Sequence, residues 1–301
     1  MDIHTIDLEF QGIPHAIAAY LVVGPGGPVL IETGPASTLD ILRARLAELG
    51  YEVADIEHVI VTHIHLDHSG AAGWWAQQGA QVYVHHVGAP HIADPSRLLR
   101  SAGRLYGDDM DRLWGQTVAA PADRVTELRD GDLVEACGLT FRAIDTPGHA
   151  SHHHVIRLED VGFTGDAGGV RILGSELIDI PAVPPEFDRE AWYASLSRLQ
   201  EERFAAIFPT HFGRVDDVND HLERVRALIG ESSGFVLGAM MSGAERDELV
   251  EHYTTWNLAR AHESGASSEN IGQAGTANPL AMSVDGISRY WRKKQERAEA
   301  G

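Results

Sequence analysis

Short apolar blocks separated by turn residues run through the first part of the chain. Ala16 to Val23 and Val29 to Ile31 have the length and content of strands, and the intervening Gly24-Pro25-Gly26-Gly27-Pro28 predicts a hairpin between them. That glycine run follows neither the dinucleotide fingerprint nor a P-loop, so it takes no phosphate role. At Thr38 the period changes: Leu39, Leu42, Leu46 and Leu49 share one face of a helix that stops at Gly50. His58-Val59-Ile60-Val61 is the next strand-like run. Ser69 to Gln78 reads as a helix with Ser69 as N-cap, and Ala80 to His85 as another strand. From His86 to Arg124, helical segments are broken by Pro90, Pro95, Gly107 and Pro121, an excursion suited to a lid.

The second half repeats one device, an apolar strand that ends abruptly in a loop of metal-type residues. Phe141-Arg142-Ala143-Ile144 runs into Asp145-Thr146-Pro147-Gly148-His149, Val161-Gly162-Phe163 into Thr164-Gly165-Asp166, and Ala205-Ala206-Ile207-Phe208 into Pro209-Thr210-His211. His58 to Val61 does the same, running into Thr62-His63-Ile64-His65-Leu66-Asp67-His68. Open α/β architectures place their sites at such loops, held by a rigid sheet. Beyond Glu231 the pattern becomes helical around a stretch rich in Gly, Ser, Ala and Asn, Glu263 to Pro279, which reads as an extension packed on the core.

Composition narrows the chemistry. With 44% hydrophobic and 23% charged residues over 301 positions, the chain has the balance of a globular protein rather than a disordered one. No apolar window has the length to span a bilayer, and Met1-Asp2-Ile3-His4 lacks the start of a secretory signal, so a cytoplasmic protein with no membrane partner is expected. The 24 basic against 44 acidic residues leave a formal charge of −20, which opposes polyanions and makes nucleic acid an unexpected partner. The only lysines, Lys293 and Lys294, sit in a basic tail that reads as the solvated face of a terminal helix. A single cysteine, Cys137, can supply neither a disulfide nor a thiolate cluster; it reads as a small packed side chain, and any metal falls to His and carboxylate ligands.

Three imidazoles and a carboxylate between His63 and His68 read as a metal site. In extended chain His63 and His65 project to one side and can share an ion, while Asp67 and His68 can face a second ion once the chain turns into a helix. A lone Gly-Asp or Thr-His is usually turn chemistry, so Asp166 and His211 gain weight only from the ordered set.

Together, His63-x-His65-x-Asp67-His68, Thr146-Pro147-Gly148-His149, Gly165-Asp166, Pro209-Thr210-His211 and the upstream Leu30-Ile31-Glu32-Thr33-Gly34 resemble the metallo-β-lactamase superfamily of metal-dependent hydrolases. The likeness covers about residues 1–230. It is closest in pattern to a poorly characterised bacterial and archaeal subgroup, through His63 to Gly73, Val82 to His85 and Asp94 to Leu98. It implies an α/β fold, a four-layer αβ/βα sandwich, with a helical insertion at 86–124 and a C-terminal helical extension over 231–301.

The resemblance further implies that His63, His65 and His149 hold one metal, that Asp67, His68 and His211 hold another, and that Asp166 bridges them. Two divalent ions are expected, zinc ahead of iron or manganese. A water between them would lose its proton near neutral pH, with Asp67 and Asp166 as the catalytic carboxylates. Glu32 stands where many members carry Asp; it is expected to orient a ligand histidine by accepting its other ring N–H.

Other residues carry weaker signals. Among His152, His153 and His154, strand alternation sends the first and third to one face and the second to the other. His85, His86 and His91 border the excursion and read as solvated loop residues or pocket lining, while Tyr106, Trp114 and Tyr193 fit either a substrate wall or helix packing.

The leading function is a dinuclear hydrolase whose bridging hydroxide attacks a small ester, thioester or lactone. The alternatives are a small-molecule phosphodiesterase, a mononuclear iron sulfur dioxygenase, and a regulatory or binding protein on the same fold. The C-terminal helices can equally cover the site or form a homodimer interface.

Overall fold

Strand alternation sets the layers. In the computed structural model, which describes residues 2–300, β1 (Asp2–Asp7) is an edge strand with few apolar positions, which the hydrophobic pattern does not mark. On β2 (Ala18–Gly24), Ala18, Tyr20 and Val22 join one buried cluster while Ala19 and Leu21 join another on the opposite face. The same split recurs on β3 (Gly27–Ile31), where Val29 and Ile31 face one way and Leu30 the other, and on β4 (His58–Ile60), where Ile60 opposes Val59. A strand buried on both faces sits between two layers.

β5 (Gln81–His85) and β6 (Val125–Leu128) complete this sheet in the order β1-β2-β3-β4-β5-β6. The hairpin β2–β3 is antiparallel, and β3 through β6 run parallel. The second sheet contains β7 (Leu133–Ala136), β8 (Leu139–Asp145), β9 (His154–Leu158) and β10 (Val161–Phe163). A small ribbon, β11 (Val170–Arg171) with β12 (Ile178–Asp179), intervenes before β13 (Ala206–Phe208), and the strand order is β13-β10-β9-β8-β7. Tyr20, Ile31 and Ile60 of one sheet meet Phe141, Ile156 and Phe163 of the other in the apolar layer between them.

Helices cover both outer faces, giving four layers, αβ/βα. The first sheet carries α1 (Leu39–Glu48), the single turn α2 (Leu66–Ser69) and α3 (Ala72–Gln77). Between residues 86 and 124 follow α4 (Ala89–Ala93), α5 (Ser96–Tyr106) and α6 (Met110–Trp114). The second sheet is covered by α7 (Arg189–Glu201), α8 (Val218–Met241), α9 (Arg246–Glu263) and α11 (Leu280–Ala300), with α10 (Ser268–Ala277) alongside. Among the described residues no helix is long and apolar enough to cross a membrane.

Two sequence expectations need correction. Ser69 is no N-cap: the amides of His68 and Ser69 both bond to the His65 carbonyl, so helical geometry begins earlier, and α3 starts without a side-chain cap. The division placed after residue 230 falls inside α8, a helix of 24 residues whose buried Leu222, Val225, Ile229 and Val236 continue one face through that point.

Candidate metal centre

Four strand ends and the loops that follow them converge at one edge of the two sheets. The Thr62 carbonyl accepts from the His154 amide at 3.0 Å, fixing the exit of β4 against the start of β9. At the end of β8, Gly148 has φ of 139°, and a Cβ there would lie 2.3 Å from Trp192 Cβ; only glycine lets this turn pass over Trp192 and deliver His149.

His63, His65, His149 and Asp166 offer ligand atoms within 4.8 Å of one another, as do Asp67, His68 and His211. Asp166 faces both groups. Its Oδ2 lies 3.2 Å from His149 Nε2 and 3.9 Å from His63 Nε2, while its Oδ1 lies 3.2 Å from His68 Nε2 and 3.4 Å from His211 Nε2. Asp67 Oδ2 stands 3.5 Å from His68 Nε2 and 3.4 Å from His211 Nε2. His65 Nδ1 approaches His63 Nε2 at 2.9 Å and His149 Nε2 at 2.8 Å.

The outward ring nitrogens assign the tautomers. His149 Nδ1–H donates to the Pro181 carbonyl and His211 Nδ1–H to that of Ala16, each at 2.7 Å. His68 Nδ1–H donates to Glu32 Oε1 at 3.2 Å. Thr62 Oγ1, which gives its own proton to Glu32, accepts from His63 Nδ1–H at 3.1 Å. Four Nε2 lone pairs therefore turn toward carboxylates. Two lone-pair atoms so placed repel unless a cation lies between them.

The same demand appears in the buried atoms left over. His68 Nε2, His211 Nε2 and Asp166 Oδ1 find no hydrogen-bond partner, a costly arrangement for protein groups alone. Burial, reinforced by neighbouring imidazoles, holds His63 and His65 well below the usual histidine range, and burial lowers His149. Burial would lower His68 too, but the charges of Asp166, Asp67 and Glu32 hold it well above that range; Asp67 and Asp166 likewise raise His211. Asp67 and Asp166 are held low, against their burial, by His68 with His211 and His149. The carboxylates that favour a proton on His68 and His211 would equally favour a cation in its place, and a donor set of imidazoles and ionised carboxylates fits divalent cations.

Glu32, fully buried, knits this edge together. It accepts from Thr62 N at 3.3 Å and from Thr210 Oγ1 at 3.2 Å besides Thr62 Oγ1 and His68. Sequence reasoning missed both threonines, although each directly precedes a ligand-type histidine, His63 or His211. It also missed Glu186, whose Oε2 lies 3.2 Å from His152 Nε2 and accepts from the Ser151 amide.

The remaining histidines lie around this cluster. His152 and His153 precede β9, so strand alternation does not govern them: His152 stacks over His63, and His153 Nδ1 meets Thr146 Oγ1. His154 is buried and donates to the Val61 carbonyl. His85 is also buried, 3.3 Å from Asp145, rather than a solvated loop residue.

A cavity of about 470 Å³ opens onto His65, Asp67, His149 and Asp166. Leu98, Tyr106 and Trp114 from the excursion form one wall, the loop around Val183 another, and Met282 of α11 a third. Tyr106 OH donates to Met282 Sδ at 3.2 Å, so the excursion and the C-terminal helices close the pocket jointly. Tyr193 is not part of it; that ring packs under Arg189 and Arg226.

A family model described as the metallo-beta-lactamase superfamily matches residues 12–211. The metallo-beta-lactamase fold-containing protein ST1585 of Sulfurisphaera tokodaii is 26% identical over 74% of this chain and 84% of its own length. An atrochrysone carboxyl ACP thioesterase of Aspergillus fumigatus is 27% identical over 67% of this chain, which spans only 39% of that protein. In structure, the metallo-beta-lactamase family protein TTHA1429 from Thermus thermophilus superposes with a TM-score of 0.72 at 22% identity, covering 97% of this chain and 94% of the other.

Proposed function

Since this chain belongs to the metallo-beta-lactamase superfamily and is a metal-dependent hydrolase of that fold, we propose that it cleaves a small ester, thioester or lactone with an apolar acyl group at a pair of divalent ions. One observation carries the substrate class: the cavity over the His and Asp cluster is walled by Leu98, Tyr106, Trp114 and Met282, which offer a phosphodiester little and an acyl chain much. A relative named as a thioesterase adds support.

In this reading His63, His65 and His149 would hold one ion and Asp67, His68 and His211 the other, with an oxygen of Asp166 turned to each group. When bound, the ions supply Lewis acidity at the scissile carbonyl and acidify water toward neutral pH. Asp67, which lines the cavity, accepts a hydrogen bond from the attacking water and orients it. The carbonyls of Pro181 and Ala16, with Glu32, keep the imidazoles in the ligating tautomer. The apolar walls exclude bulk water from the acyl group.

Elemental analysis of protein purified without added metal, followed by a panel of esters, thioesters, lactones and bis(p-nitrophenyl) phosphate, tests this. About two ions per chain, zinc foremost, and preference for carbonyl substrates with longer acyl groups are expected. Turnover confined to the phosphodiester would refute the substrate class.

A further inference from the structure

The helix α5 carries Arg97, Arg100 and Arg104 at spacings i, i+3 and i+7. At about 100° per residue they fall within about 60° of one another, along about 10 Å of helix. This stripe borders the face that turns Leu98, Ser101 and Leu105 into the cavity, and Arg97 reaches the cavity mouth.

Charge makes the stripe unusual. In a chain of formal charge −20 many arginines meet carboxylates, as Arg45 meets Glu9, Arg112 meets Asp109 and Arg142 meets Glu202, and others, such as Arg124, Arg171 and Arg260, bond backbone carbonyls. Among the described residues Arg97, Arg100 and Arg104 have no such partner, and all three are exposed. Asp94, whose Oδ1 accepts the Ser96 amide, feels the charge of Arg100 without a contact ion pair, and Glu186 is taken by Ser151 and His152. Three like charges side by side gain nothing from one another. Guanidinium forks match phosphate oxygens, and a run of them matches a ligand with several phosphates.

Leu105 and Val87 are large apolar side chains that line the same cavity as Arg97 and remain exposed. One cavity therefore joins apolar walls, the His and Asp cluster, exposed apolar side chains and, through Arg97, the cationic stripe of α5. We infer that this chain takes thioesters of coenzyme A, with the acyl group in the cavity and the phosphorylated nucleotide on Arg97, Arg100 and Arg104. The assignment rests on the hydrolase reading above. A small nucleotide fits better than an acidic carrier protein: the stripe is about 10 Å long, whereas a protein partner needs about 800 Å² of surface, and the rest of this chain would repel an acidic one.

Two measurements test it. Titration calorimetry with free coenzyme A, at low salt and constant metal content, should show binding that weakens about tenfold or more in Arg100→Gln/Arg104→Gln and in high salt. The kcat/KM ratio between decanoyl-coenzyme A and decanoyl-N-acetylcysteamine, which lacks the nucleotide, should fall by a similar factor in that variant. If the truncated thioester is cleaved but coenzyme A does not bind, or the variant changes neither measurement, the docking assignment is overturned and the hydrolase reading stands. If coenzyme A binds through the arginines but neither thioester is cleaved, the stripe is upheld and the thioesterase reading falls.

Discussion

Glu32→Gln separates the two tasks of the buried carboxylate. Glu32 Oε1 receives Thr62 Oγ1, His68 Nδ1–H and Thr210 Oγ1, and Oε2 receives Thr62 N at 3.3 Å. The amide has nearly the same shape but only one oxygen. Its better orientation keeps oxygen toward the three-donor side and turns NH₂ against the Thr62 amide, donor against donor. One buried hydrogen bond is thus lost and the others lose their charge, a stability cost of about 1–3 kcal/mol. His68 loses the anion that fixes its tautomer, and metal affinity should fall roughly 10- to 100-fold. Because Glu32 touches His68 and not His149, the ion proposed for Asp67, His68 and His211 should weaken more. Urea unfolding in chelator reads the first effect, and competition with a chromophoric chelator, resolving two zinc equivalents, reads the second. Equal weakening of both ions, or lost stability with unchanged affinity, would show that Glu32 only ties the strand ends together and would sink the argument.

Asp166→Ala should abolish hydrolysis and most metal binding while the chain stays folded by circular dichroism; an active variant would remove the bridging role. Burial holds His154 down at about 4 from an ordinary value of 6.5. Between those two pH values the unfolded chain binds a proton that the folded one refuses, so stability is full above the upper value and lost as pH falls toward the lower. The loss is on the order of 3 kcal/mol. Urea midpoints at neutral pH and near pH 4.5 should therefore diverge less in His154→Gln than in the wild type, and parallel losses would contradict the assignment. Gly286→Ala on α11 would put a Cβ 1.9 Å from the Ala182 carbonyl oxygen, costing about 1–3 kcal/mol of overpacking. It should also disturb Pro181, the partner of His149, so a drop in melting temperature with undiminished zinc affinity would break the proposed link.

What the sequence made legible is what strand periodicity and short spacing encode. The unbroken apolar runs Ala18 to Val23, Val29 to Ile31 and Val59 to Val61 mark β2, β3 and β4, and at the strand period of two they fit a sheet buried on both faces. The same period aims His63 and His65 alike, and the strand ends at His149, Asp166 and His211 could be read as loops because each follows an apolar run. The supports of that cluster were not legible. The carbonyls of Ala16 and Pro181 have no side-chain signature, and only the folded chain brings them to His211 and His149. The exit of β4 hid its cap for a related reason: the helical turn is nucleated by the backbone carbonyl of His65, so Ser69 had no orphan amide to serve. The pocket lies further from the sequence still. Tyr106 and Met282 are 176 positions apart and meet through packing of α5 against the start of α11, which no local period records. The hydrolytic centre is thus encoded in strand ends that can be read one at a time, whereas the pocket's specificity is encoded in contacts between helices. Substitutions that change substrate choice while sparing metal binding should accordingly cluster on α5, α6 and the α10–α11 junction.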